Sequence, residues 1–104
     1  MSKIVNTNEF SKEIENNVVV VDFFADWCQP CKMLAPIFEE LGNELEGKVK
    51  FIKVNVDNSQ EIALKYRVAS IPTVIVFKDG EKVDSMVGFV PKEKIKQVVE
   101  SHIG

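Results

Sequence analysis

Two cysteines three residues apart, Cys28 and Cys31, have the type and spacing for redox chemistry. They stand in Trp27-Cys28-Gln29-Pro30-Cys31-Lys32, directly after an apolar run. If a helix begins at the first, the second lies nearly one turn later on the same face, so the sulfurs can meet. Free N–H groups and the positive dipole end at a helix start favour a thiolate on Cys28. Cys31, deeper in the helix, suits a resolving role. Thiol–disulfide exchange proceeds by thiolate attack on a disulfide sulfur through a mixed disulfide. A free thiol, with a pKa of ~8.5, is only a few per cent ionised near neutrality, so a helix start raises the reactive fraction. The reaction needs two sulfurs close together, one of them exposed.

Three other uses of the pair compete. As a staple it would close a loop of about four residues, for ~2 kcal/mol by the chain-entropy formula. As a zinc site it lacks ligands, since a closed site usually wants four and the chain adds only His102, unless two chains share the ion. Both could also be ordinary buried cysteines. The strand–turn–helix setting favours redox chemistry over all three.

The elements that must position the pair can be read around it. Val18 to Ala25 is apolar but for Asp22, the pattern of a central strand buried on both faces. Asp26-Trp27-Cys28 connects it to a helix whose buried stripe is Leu34, Ile37, Phe38, Leu41 and Leu45. Pro36 lies inside that helix and should kink it, and Gly47 is a stop. Upstream, Ile4-Val5 predicts a short strand. Asn6 and Glu9 predict a capping box ahead of a helix carrying Phe10 and Ile14. Downstream, Val49 to Val56 predicts a strand, Asp57-Asn58-Ser59 a capping segment, and Ile62, Ala63 and Tyr66 a short helix. Thr73 to Phe77 and Lys82 to Val87 read as strands joined by an Asp79-Gly80 hairpin turn. Pro91 then opens a last helix with Ile95, Val98 and Val99 on its apolar face. The order β-α-β-α-β, then α-β-β-α, predicts a parallel half with right-handed crossovers and an antiparallel hairpin, one mixed sheet covered on both faces.

The 104 residues, 45 % hydrophobic and 28 % charged, predict a single globular domain over 1–104. A net charge of −3 with scattered lysines argues against nucleic acid as a partner. The longest apolar run, Val18 to Val21, is too short to span a bilayer, and the N-terminus lacks the apolar core of a secretory signal. A cytoplasmic location is therefore expected, where close cysteine pairs tend to be redox-active or metal-binding. No phosphate-binding glycine loop and no flavin or nicotinamide signature is present, so no cofactor is expected and electrons must come from another protein.

The stretch Val21-Asp22-Phe23-Phe24-Ala25-Asp26-Trp27-Cys28-Gln29-Pro30-Cys31-Lys32-Met33 resembles the active-site segment of the thioredoxin family. The resemblance extends through Ala35-Pro36, Lys53 to Asp57, Ile71-Pro72-Thr73, Phe77 to Glu81 and Val87-Gly88. It implies the thioredoxin fold, a five-stranded mixed sheet with four flanking helices. It implies a protein-disulfide reductase and electron carrier in cell redox homeostasis, with Cys28 as nucleophile and Cys31 as resolving thiol. A thioredoxin reductase would supply electrons, oxidised proteins would be the substrates, and the chain would act as a monomer. It further implies Asp22 as a buried carboxylate near Cys31, Lys53 as its partner, and a cis bond between Ile71 and Pro72 facing the cysteines.

The residues bear on these roles independently. A charge at Asp22 among Val and Phe is costly unless paired, and burial favours its protonated form, which could exchange a proton with Cys31. The alternative is a structural Asp held by backbone donors, but the strand runs directly into the cysteine loop, which favours the catalytic role. Lys53 shares a strand face with Val49 and Phe51, and either contacts Asp22 or snorkels outward. Trp27, Gln29, Pro30, Ile71, Pro72 and Gly88 are the candidate substrate-binding residues, with Val87 and Phe89 extending an apolar rim. Gln29 stands where the family usually has Gly, which bears on redox poise, and Phe24 replaces a frequent Trp. A different class of function on the same fold would be a non-catalytic module docked on a larger protein.

Overall fold

A computed structural model describes residues 2–103. The elements run β1 (Lys3–Ile4), α1 (Thr7–Glu13), β2 (Val18–Phe24), α2 (Gln29–Glu44), β3 (Lys50–Asn55), α3 (Gln60–Lys65), β4 (Thr73–Lys78), β5 (Glu81–Val87) and α4 (Lys92–Glu100). The sheet order is β1-β3-β2-β4-β5. β1 and β2 both pair parallel to β3, while β4 pairs antiparallel to β2 and β5 antiparallel to β4. β2 is thus central, and all seven of its residues are buried.

Alternation along β2 divides the core. Val19, Val21 and Phe23 pack with Phe10, Ile14 and Ile62 on the α1 and α3 face. Val18 and Val20 pack with Leu34, Phe38, Leu41, Ile95 and Val99 on the α2 and α4 face. Period-two strands set against helices repeating every 3.6 residues make this two-layer burial possible.

Local signals account for the ends of the elements. Asn6 accepts a hydrogen bond from the Glu9 amide at 3.0 Å, and the Glu9 side chain accepts one from the Asn6 amide at 3.0 Å, closing the capping box of α1. The Asp79-Gly80 turn holds positive φ at both positions, 50° and 86°, as the hairpin requires. Asn17, itself at φ 63°, ties the start of β2 to that turn by donating to the Asp79 carboxylate and accepting from the Asp79 amide. α2 runs uninterrupted through Pro36.

Candidate active site

The loop after β2 delivers Cys28 to the start of α2. Cys28 is the N-cap residue, with extended backbone, and its Sγ accepts a hydrogen bond from the Cys31 amide at 3.3 Å. The sulfur thus occupies the place of the usual capping oxygen. No acidic residue stands in the first turn of α2, so nothing there opposes the positive end of the helix dipole. Cys31 lies one turn in, and the two residues form a disulfide with their Cα atoms 5.2 Å apart. A sulfur in this place is prepared for negative charge once the bond is reduced.

Exposure differs from the sequence expectation. The outer sulfur was expected to be open to solvent, but Cys28 and Cys31 are each only 4 % exposed. The cause is a small apolar cluster in which both pack with Phe24 and Ala25, covered by Val56 and Ile71. The Cys28 Sγ lies 3.8 Å from the Ile71 carbonyl oxygen. The Ile71–Pro72 bond that follows is cis, and the loop bearing it faces the cysteines. Gly88 at the end of β5, at φ 87°, donates from its amide to the Pro72 carbonyl at 2.8 Å. Its backbone rather than lack of space calls for glycine, since a Cβ there would meet nothing within 4 Å.

Apolar side chains stand out around this loop. Trp27 is 70 % exposed, Val87 64 % and Phe89 44 %. Gln29 and Pro30 are exposed on the first turn of α2, Ile71 is half-buried and Pro72 is buried. The Trp27 indole donates to the Asp57 carboxylate at 2.9 Å, which fixes an otherwise solvated ring. The sequence offered Asp57 as part of a capping segment and of the family resemblance, without this partner. The Asn55 side chain holds that segment by accepting from the Asp57 and Asn58 amides. The parallel register of β2 and β3 places Phe24 beside Asn55, which brings the two loops together.

Asp22 precedes Phe24 by two residues on β2. It is fully buried on the α2 face of β2, and neither carboxylate oxygen has a hydrogen-bond partner among the described residues. The backbone-satisfied alternative for this side chain is not what the structure has. Burial raises its pKa from 3.8 to about 6, against the lowering pull of the Lys53 charge. Lys53 is Asp22's register partner on β3. Its ammonium forms no ion pair with Asp22 but stands 4.5 Å from the centre of the Phe24 ring. Contacts of this kind contribute about 0.5–2 kcal/mol depending on desolvation. Phe24, Cys31, Lys32, Ala35 and Lys53 line one shallow pocket with Ala25 and Asp26, so the inner cysteine and the lysine open onto the same space.

Comparison with known proteins agrees with this geometry. The family model for thioredoxin matches residues 1–101. The chain is 50 % identical over 99 residues to a thioredoxin of Staphylococcus epidermidis and equally to one of Staphylococcus aureus, with 95 % of both chains covered in each case. A mutant thioredoxin from Halobacterium salinarum NRC-1 superposes with a TM-score of 0.90 at 35 % identity, covering 99 % of this chain and 91 % of that one. Plasmodium falciparum thioredoxin superposes with a TM-score of 0.89 at 42 % identity, covering 96 % and 98 %.

Proposed function

The chain belongs to the thioredoxin family and is a thiol–disulfide oxidoreductase, and from that premise we propose how its residues divide the work. Cys28, reduced, attacks one sulfur of a substrate disulfide. A bond forms between Cys28 and that sulfur, and the other substrate sulfur leaves as a thiolate and takes up a proton. Cys31 then passes its proton to the Asp22 carboxylate and attacks the Cys28 sulfur. The intramolecular disulfide forms, the second substrate thiolate departs and takes a proton, and the substrate has gained two electrons and two protons.

What carries this assignment is the Cys31 amide pointing at the Cys28 sulfur at a helix start. It stabilises charge on Cys28 and on no other sulfur. Asp22 suits the second step because a carboxyl near pH 6 can take and return a proton close to neutrality. Lys53 keeps that value from rising further. Trp27, Gln29, Pro30, Ile71, Pro72 and Gly88 form the surface on which substrate lies. Electrons return through a thioredoxin reductase, and oxidised proteins are the substrates. The chain works as a monomer and a single domain in the cytoplasm. No helix of the described residues is long and apolar enough to cross a membrane.

The test uses a disulfide-bonded protein substrate with dithiothreitol as electron source. The protein is expected to accelerate reduction well above dithiothreitol alone, and Cys31→Ser is expected to accumulate mixed disulfides through Cys28. No acceleration, or no adduct in the variant, rejects the two-step mechanism.

A further inference from the structure

Asp22 and Lys53 are opposite each other in the parallel register of β2 and β3, and alternation puts both side chains on the α2 face. A buried carboxylate with a neighbouring lysine should draw the ammonium into an ion pair. Here it does not, for both Asp22 oxygens are unpartnered and the Lys53 Nζ lies over the Phe24 ring, 4.5 Å from its centre. Phe24 is two residues beyond Asp22 on the same strand face, so the long lysine stem leans along the strand, past the carboxylate.

We propose that Phe24 is a positioning residue: its ring seats the Lys53 ammonium and holds the cation off the Asp22 carboxylate. A ring face attracts a cation but accepts no proton, so Lys53 stays charged beside the site without forming the contact that would fix Asp22 as an anion. The same ring belongs to the buried cluster that holds Ala25 and both cysteines. The other groups facing Asp22 do not replace it. Glu39 of α2 adds a negative charge that favours the protonated carboxyl. β4 contributes its register partner Val74, which is apolar.

The function given to this seat rests on the reading of Asp22 as proton acceptor for Cys31, but its test does not depend on activity. In the unmodified protein, the Lys53 Cε protons are expected upfield of those of exposed lysines by NMR, from the ring current of Phe24. Phe24→Leu is expected to let the ammonium reach Asp22 and to lower the midpoint of the carboxyl titration, followed by carbon NMR, by at least about half a pH unit, about threefold in proton affinity. Phe24→Trp, which keeps a ring, is expected to retain the original midpoint. In a Lys53→Met background, Phe24→Leu is expected to change nothing. Unshifted Lys53 protons, a midpoint that stays or rises in Phe24→Leu, or the same fall without Lys53 would each overturn the proposal. The first readout needs no variant to fold. Separately, an Asp22→Asn protein that resolves mixed disulfides at the original rate would remove the proton-transfer role and leave the seat standing.

Discussion

At the scale of single residues, Asp22 has the sharpest consequences. The folded state raises its pKa from 3.8 to about 6 because burial penalises the charge. Folded protein therefore binds this proton more tightly than unfolded chain does. Below pH 3.8 both states are protonated and the group costs nothing. Stability falls as pH rises from about 4 to about 6, and the full penalty stands above that window. At about 1.4 kcal/mol per pH unit, the penalty near neutrality is ~3 kcal/mol. Asp22→Asn should therefore raise stability in urea by up to about this amount at pH 7 and leave it nearly unchanged below pH 4. Equal stabilisation at both pH values would refute the assignment. Asp22 stood out in the sequence as a charge inside a Val and Phe run, but the station of Lys53 did not. Whether a lysine reaches its register neighbour or a ring two residues along depends on side-chain placement that no one-dimensional pattern carries.

At the scale of elements, the capping box and the left-handed positions make separable contributions. Asn6→Ala removes the side-chain acceptor of the Glu9 amide and should cost about 1 kcal/mol, measured by denaturant unfolding. Arg67 ends α3 at φ 56°, with the Val68 amide reaching back to the Ala63 carbonyl. That closing turn usually holds glycine, and an L side chain there is strained. Arg67→Gly should raise the thermal midpoint, whereas Gly80→Ala, at φ 86°, should lower it. These two shifts in opposite directions are checked by calorimetry on the same protein.

Most of this scale was legible in the sequence. The Val18 to Ala25 run, the Asp79-Gly80 turn and the Leu34 to Leu45 stripe each carry a strong local period or turn signal; the run appears as Val18–Phe24, the turn joins β4 to β5, and the stripe lies along Gln29–Glu44 and its C-cap. Three features escaped. The first strand is Lys3–Ile4 rather than Ile4-Val5, one residue earlier, although the Val5 amide still donates to the Lys53 carbonyl at 2.9 Å. The Trp27–Asp57 bond joins residues thirty apart in sequence. The cover over Cys28 includes Ile71, on a loop 43 residues further along. Each needs the sheet order before it can be seen.

Across the whole molecule, the sheet brings three separate loops to the cysteines: Asp57 after β3, Ile71-Pro72 before β4 and Gly88 after β5. On the α2 and α4 side, the fold is closed by an exposed ion network in which Lys92 reaches Glu40 and Glu44, and Lys96 reaches Glu44 at 3.2 Å. Solvent-exposed charges of this kind are screened. Lys92→Gln should lower the unfolding midpoint slightly at low ionic strength and not at all in molar salt, and a loss that persists in salt would mean the residue acts through packing. The unequal chemistry of the two thiols is likewise a product of the whole fold, since in an unfolded chain they would be near equivalents. The direct measurement is limited alkylation of the reduced protein at neutral pH, read by peptide mass spectrometry, with and without urea. In the folded protein, label should enter Cys28 well before Cys31 and faster than it enters free cysteine, and urea should abolish the difference. Equal labelling of the folded protein, or label on Cys31 first, would contradict the assignment of Cys28 as the attacking sulfur.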